Sequence, residues 1–81
     1  MKVLLVGYGR MGQEVALSLK RRGHELLAAV DPSSAEATHA TLSGAPLTEA
    51  DAVIEFSLPD AVLSNAKAYA EAGVAAVVGT T

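Results

Sequence analysis

The sequence contains no cysteine and no tryptophan, and only 4% of its residues are aromatic. The absence of cysteine excludes disulfide bonds, thiolate chemistry and cysteine-ligated zinc. There are six basic residues, and no basic stripe is interleaved with aromatic side chains, so the pattern typical of a nucleic-acid interface is missing. The amino-terminal apolar run, Val3 to Val6, is too short for a signal-peptide core or a membrane span. These absences predict a soluble cytoplasmic protein.

The 81 residues that are present are 51% hydrophobic and carry a net charge of −3. This length allows one domain, residues 1–81. A core made from so few aromatic residues must be built from alanine, valine and leucine. Domains of this size bury only about 60–65% of their unfolded surface, so we expect marginal stability.

The sequence is organised around Gly7-Tyr8-Gly9-Arg10-Met11-Gly12, which directly follows the strand-like run Lys2 to Val6. This spacing between a strand and a helix is typical of a dinucleotide-binding loop. Gly7 permits the tight turn, Gly9 lets the backbone approach a pyrophosphate, and Gly12 lets the helix pack closely on its strand. Free N–H groups at the start of the helix would hold the phosphates. The alternative is a tight strand–helix turn that binds nothing.

An acidic residue follows at the spacing that this motif requires. Asp31 closes the apolar run Glu25 to Val30 and lies nineteen positions after Gly12. In dinucleotide-binding folds an acidic residue at the end of the second strand binds the ribose.

Strand-like and helix-like segments alternate along the chain, which predicts a Rossmann-type α/β fold, a doubly wound parallel sheet. We expect a half fold of four strands in the order 3-2-1-4, with the switch point between the first and fourth strands. The strands are expected at Lys2–Val6, 25–30, 52–56 and 74–78, with helices at 11–22, 33–39 and 59–72 and a loop at 41–49. Three carboxyl ends would then meet at one crevice, namely Gly7–Gly12, Phe56-Ser57 and Gly79-Thr80-Thr81.

Three segments stand out together, namely Gly7–Gly12, Val53–Ser57 with Pro59, and Val78–Thr81. In combination they resemble the amino-terminal part of the 4-hydroxy-tetrahydrodipicolinate reductase family, also called dihydrodipicolinate reductase, of lysine and diaminopimelate biosynthesis. The Arg-Met-Gly variant combined with a Gly-Thr-Thr ending is much more specific than the glycine pattern alone. The resemblance covers essentially the whole chain, but only the amino-terminal part of a family member, so we expect a truncated dinucleotide-binding domain without its substrate domain.

The resemblance implies a reductase that transfers hydride from NAD(P)H to a cyclic imine dicarboxylate and is a homo-oligomer when full length. Arg10 would lie near the adenosine phosphate, and Thr81 would also touch the substrate carboxylate. The family's histidine-rich segment with its catalytic lysine is absent, so no catalytic residue is expected in this chain. The cofactor-binding residues that it implies are Gly7, Tyr8, Gly9, Arg10, Met11, Gly12, Asp31, Phe56, Ser57, Gly79, Thr80 and Thr81.

Two departures from the family bear on the cofactor. Many members have one more residue in the glycine loop, and many have arginine directly after the acidic residue, where Pro32 stands here. Because a carboxylate at Asp31 repels a 2′-phosphate, we expect NADH to be preferred, with NADPH possible if Arg10 offsets the repulsion.

Two other functions stay open at this point. One is an NAD(H)-sensing regulatory module without catalysis, and the other is a different amino-acid-pathway dehydrogenase that shares the fold. We expect His24 and His39 to be surface residues without a metal role, because no second ligand has suitable spacing. Glu55 could be an active-site carboxylate, but we expect it to be structural, as a charge on an outer strand beside a solvent edge.

Overall fold

The computed structural model describes the backbone of residues 1–57 and 59–80 and the side chains of residues 1–56 and 62–79. Within these ranges the chain alternates between strands and helices. Two short 3-10 turns, Leu42–Gly44 and Leu47–Glu49, lie in the connection before the third strand. The main elements are β1 (Lys2–Val6), α1 (Arg10–Arg21), β2 (Glu25–Val30), β3 (Ala52–Ser57), α2 (Pro59–Ala72) and β4 (Ala75–Thr80).

The strands form one parallel sheet in the order β2-β1-β3-β4. This confirms the Rossmann-type α/β class and the four-stranded half sheet, but the predicted order 3-2-1-4 is wrong. β3, and not β4, pairs with β1, so the direction of winding reverses between β1 and β3. The sheet is doubly wound about that point.

The connection between β2 and β3 explains the order. Thr38 and His39 donate backbone N–H bonds to the Ala29 carbonyl oxygen, and the Asp31 N–H donates to the His39 carbonyl oxygen. The Ala29 N–H in turn donates to the Thr38 hydroxyl oxygen at 2.9 Å. The outer edge of β2 is therefore occupied near its carboxyl end, and β3 pairs with the other edge of β1.

The predicted helix at residues 33–39 is wrong, because this segment contains only turns and the bridge to β2. Seven residues are too few to offset the cost of helix nucleation. Pairing Thr38 with the exposed backbone groups of β2 satisfies more hydrogen bonds than one short helical turn would. The expected loop at 41–49 holds the two 3-10 turns.

Alternation along the strands divides the core into two layers. Val3 and Leu5 of β1 pack with Ala16 and Leu19 of α1 on one face of the sheet. On the other face, Leu4 and Val6 lie in a cluster with Val53 and with Tyr69 of α2. The connection between β2 and β3 adds apolar residues to this second layer, including Leu42, Ala45, Leu47 and Ala50.

Candidate functional site

The loop that follows β1 is held against the end of β3. Gly7 has a φ of +100°, and a Cβ atom added to it would lie 2.0 Å from the Phe56 carbonyl oxygen. Only glycine fits both the backbone conformation and this distance. The Gly7 N–H also donates to the Val30 carbonyl oxygen at 2.8 Å, so the first residue of the loop is fixed from both neighbouring strands.

The other two glycines of the motif differ from each other. A Cβ atom on Gly12 would lie 2.3 Å from the Gly7 carbonyl oxygen, whereas one on Gly9 would meet no atom within 4 Å. Gly12 is therefore required by the packing of α1 on its strand, and Gly9 faces open space. Gly9 is also the N-cap of α1 and provides no side-chain cap. The first N–H groups of a helix have no partner within the helix, so this end is suited to an anion.

Asp31 lies beside the loop and is anchored by two backbone groups. Its Oδ2 atom accepts a hydrogen bond from the Tyr8 N–H, and its Oδ1 atom accepts one from the Ser33 N–H, both at 2.8 Å. A carboxylate oxygen has two lone pairs, so each oxygen keeps capacity for a further donor. The structure thus brings Asp31 and the glycine loop together, as the spacing predicted.

The carboxyl ends of β3 and β4 lie on the side of β1 opposite to Asp31. Phe56 pairs with Gly79, and Ser57 pairs with Thr80. A Cβ atom on Gly79 would lie 3.2 Å from the Phe56 ring, so the glycine leaves room for that ring to lie against β4. The predicted roles of Thr81, toward the nicotinamide and toward the substrate, lie outside the described residues.

Two predicted residues at the start of α1 are exposed. Arg10 begins the helix, and Met11 is 55% exposed, so its side chain is not part of the core below the loop. The Gln13 side-chain amide donates to the Tyr8 carbonyl oxygen at 3.3 Å and links the first turn of α1 to the loop. Arg10 and Met11 are therefore free to contact a ligand at the helix start.

Glu55 lies elsewhere than predicted. It is in an inner strand, between Val6 of β1 and Val78 of β4, and its exposure is 0%. Its Oε1 atom accepts a hydrogen bond from the Tyr69 hydroxyl at 2.7 Å, and its Oε2 atom accepts one from the Asn65 side-chain amide at 2.8 Å. The expectation of an outer strand beside solvent is wrong, because it depended on the incorrect strand order.

Tyr69 is 3% exposed, and burial raises the pKa of its hydroxyl well above the ordinary value. The hydrogen bond to Glu55 and the charge of that carboxylate raise the pKa of Tyr69 further. The hydroxyl therefore stays a donor at neutral pH. The spacing of Asn65 and Tyr69, four residues apart on one helix, was the available signal for this cluster.

The ring of each histidine is close to a polar group outside the glycine loop. The His24 Nδ1 atom is 3.2 Å from the terminal amino group, and the His39 Nδ1 atom is 2.8 Å from the Thr38 hydroxyl. Among the residues that the structure describes, no three His, Cys, Asp or Glu side chains are grouped as a metal site would need. In the same part of the chain, neither helix has the length and apolar character needed to cross a membrane.

The family model "Dihydrodipicolinate reductase, N-terminus" matches residues 1–81. The chain is 41% identical over 64 residues to 4-hydroxy-tetrahydrodipicolinate reductase of Staphylococcus haemolyticus, which covers 74% of the chain and 26% of that relative. It is 37% identical over 86 aligned residues to the enzyme of the same name from Natronomonas pharaonis, covering 100% of the chain and 35% of the relative. The chain thus spans about a third of the length of these curated relatives. Because this model matches the whole sequence, the chain belongs to the dihydrodipicolinate reductase family and corresponds to the amino-terminal part of that family.

Proposed function

We propose that this chain is the NAD(P)H-binding portion of a reductase that reduces a cyclic imine dicarboxylate. The observation that carries the proposal is the pairing of the glycine loop with Asp31. Gly9 leaves open space at the start of α1, and the Asp31 carboxylate is held 2.8 Å from the Tyr8 N–H of the same loop. A pyrophosphate at the helix start and a ribose at Asp31 are the two contacts that a dinucleotide-binding fold supplies.

We propose that the loop from Gly7 to Gly12 binds the pyrophosphate through backbone N–H groups. Arg10, at the helix start, adds a positive charge on the adenosine side. The ribose hydroxyls donate to the lone pairs of Asp31 that the backbone leaves unused. A 2′-phosphate at that position would meet a carboxylate, so NADH binds more tightly than NADPH, while Arg10 reduces the difference.

The nicotinamide lies, in this proposal, at the ends of β3 and β4. Phe56, Ser57, Gly79 and Thr80 would line that side, and the contacts predicted for Thr81 with the nicotinamide and the substrate carboxylate lie outside the described residues. The cofactor supplies the hydride when bound, and this chain supplies its orientation. In this proposal the groups that bind and protonate the substrate lie outside these 81 residues, and the curated relatives are about three times as long.

Calorimetric titration with NADH and with NADPH tests this proposal. Wild type is expected to bind NADH more tightly. Asp31→Asn removes the charge and one acceptor, so the preference for NADH should shrink by about tenfold, which is 1.4 kcal/mol.

Asp51→Asn is the matched control. Asp51 also accepts a backbone N–H bond, from Lys2 at 2.7 Å, but precedes β3 at the opposite end of the sheet. It should leave the ratio of the two affinities unchanged. A folded wild-type chain that binds neither cofactor would refute the proposal, and equal changes in both variants would show that Asp31 does not face the ribose.

A further inference from the structure

The cluster of Glu55, Asn65 and Tyr69 is a buried polar contact between the sheet and α2. Both carboxylate oxygens of Glu55 accept hydrogen bonds, one from each of the two helix residues, at 2.7 and 2.8 Å. A buried carboxylate is tolerated only when such donors replace water. Apolar side chains of similar volume would hold the helix against the sheet at least as well, so stability alone does not account for the cluster.

The cluster adds a defined position and orientation of α2 on the sheet. Apolar packing allows a helix to slide or turn by small amounts, whereas two hydrogen bonds to two different oxygens fix its position along and around its axis. Asn65 and Tyr69 are one turn apart, so together they set both the height and the rotation of α2. The cluster therefore defines one docked arrangement of α2 on β3.

The position of the cluster links it to the crevice. Glu55 is the residue before Phe56-Ser57, the end of β3. The Phe56 carbonyl oxygen lies so close to Gly7 that no Cβ atom would fit between them, and the Phe56 ring lies against Gly79. A displacement of β3 at Glu55 is thereby passed to the end of β4, whereas the glycine loop keeps a second anchor in the hydrogen bond from the Gly7 N–H to the Val30 carbonyl oxygen.

We propose that Glu55, Asn65 and Tyr69 are positioning residues that fix α2 on β3 and thereby set the nicotinamide end of the cofactor crevice. This inference rests on the function proposed above. The adenosine end is anchored separately, by the bonds of Asp31 to Tyr8 and Ser33. Loss of the cluster is therefore expected to affect the two halves of the cofactor unequally.

The test compares NADH with ADP-ribose, which keeps the adenosine and pyrophosphate but lacks the nicotinamide. Tyr69→Phe removes one donor and keeps the ring in the core. The variant is expected to bind NADH about fivefold more weakly, the effect of one hydrogen bond, and ADP-ribose within about twofold of wild type. The fluorescence of bound NADH should also move toward that of the free cofactor, because it reports on the nicotinamide directly.

Val3→Ala is the control for a general loss of stability. Val3 is buried in the layer under α1, near the amino end of β1 and away from the crevice. It should leave both affinities and the fluorescence unchanged while the protein is folded. If Tyr69→Phe does not fold, Asn65→Ala, at a half-buried helix position, provides the same test.

The outcomes separate this inference from the function on which it rests. A wild-type chain that binds neither ligand overturns both. Binding of both ligands by wild type, with equal losses or no loss in the cluster variant, overturns the positioning role alone. Equal affinity of wild type for NADH and ADP-ribose also overturns it, since the chain would then have no nicotinamide end to position.

Discussion

Replacing Gly12 with alanine sets two opposing effects against each other. Alanine favours a helix interior by about 1 kcal/mol over glycine, so propensity alone predicts a more stable protein. The new Cβ atom, however, would lie 2.3 Å from the Gly7 carbonyl oxygen, where at least 3.0 Å is needed. Because the Gly7 oxygen belongs to the backbone and the Cβ atom is fixed to the backbone of α1, α1 must move away from the loop by about 0.7 Å.

The energetic cost of this movement decides whether Gly12→Ala stabilises or destabilises the protein. Overpacking a well-packed contact typically costs 1–3 kcal/mol. We expect about 3 kcal/mol here, because neither atom of this contact can rotate away. After the gain in helix propensity, we expect a net loss of about 2 kcal/mol in the free energy of unfolding. In a domain of this size that lowers the melting temperature by about 10 °C. Thermal unfolding followed by circular dichroism measures it.

Gly9→Ala is the matched variant, three residues earlier in the same loop. Gly9 has a φ of −76°, which alanine adopts without strain, and a Cβ atom would meet nothing within 4 Å. Its stability should stay within about 0.5 kcal/mol of wild type, because the weaker N-cap is offset by a less flexible unfolded chain. Its affinity for NADH should fall at least about tenfold, since the methyl group lies where the pyrophosphate approaches. A Gly12→Ala protein as stable as wild type would refute the packing argument.

Three further predictions follow from other parts of the fold. Between about pH 10 and 12 the unfolded chain loses the Tyr69 proton, while the folded protein, whose Tyr69 pKa is raised, keeps it. The free energy of unfolding of wild type, measured by urea titration, should therefore fall more steeply than that of Tyr69→Phe, by about 1.4 kcal/mol per pH unit. Parallel curves for the two proteins would contradict this prediction. Val77 is 67% exposed on β4, at the edge of the sheet, and exposed edge strands favour self-association. Val77→Lys should therefore reduce self-association in size-exclusion chromatography. A wild-type chain that elutes as a monomer at all concentrations would contradict this prediction. Gly73 has a φ of +69° with open space around it, so Gly73→Ala should cost about 1 kcal/mol in thermal unfolding from backbone strain alone; an unchanged melting temperature would show that the backbone there adapts.

Local patterns predicted the elements well. The bounds of β1, β2 and α2 were predicted to the residue, because continuous apolar runs and a proline–glycine pair mark them. The glycine loop and the position of Asp31 beside it were also predicted, since both depend on spacing along the chain. The structure adds what spacing does not contain, namely that Asp31 is bonded to Tyr8 and Ser33.

The strand order was not predictable in the same way. It depends on which free edge β3 finds, and the outer edge of β2 is occupied by Thr38 and His39, in a segment that we expected to be a short helix. The burial of Glu55 was missed for the same reason, because its surroundings follow from the order of the strands. Errors in long-range pairing therefore led to errors about a single side chain.

The central place of β1 has a consequence for the protein's synthesis. β1 is made first, yet it pairs on one side with residues 25–30 and on the other with residues 52–57. At about 5–20 residues per second, a ribosome needs roughly 3–10 seconds to add the residues between the end of β1 and the end of β3. Throughout that time the apolar strand Lys2–Val6 lacks at least one of its neighbours. In a nascent chain of this domain, β1 is thus a hydrophobic segment that a chaperone can bind until β3 pairs with it.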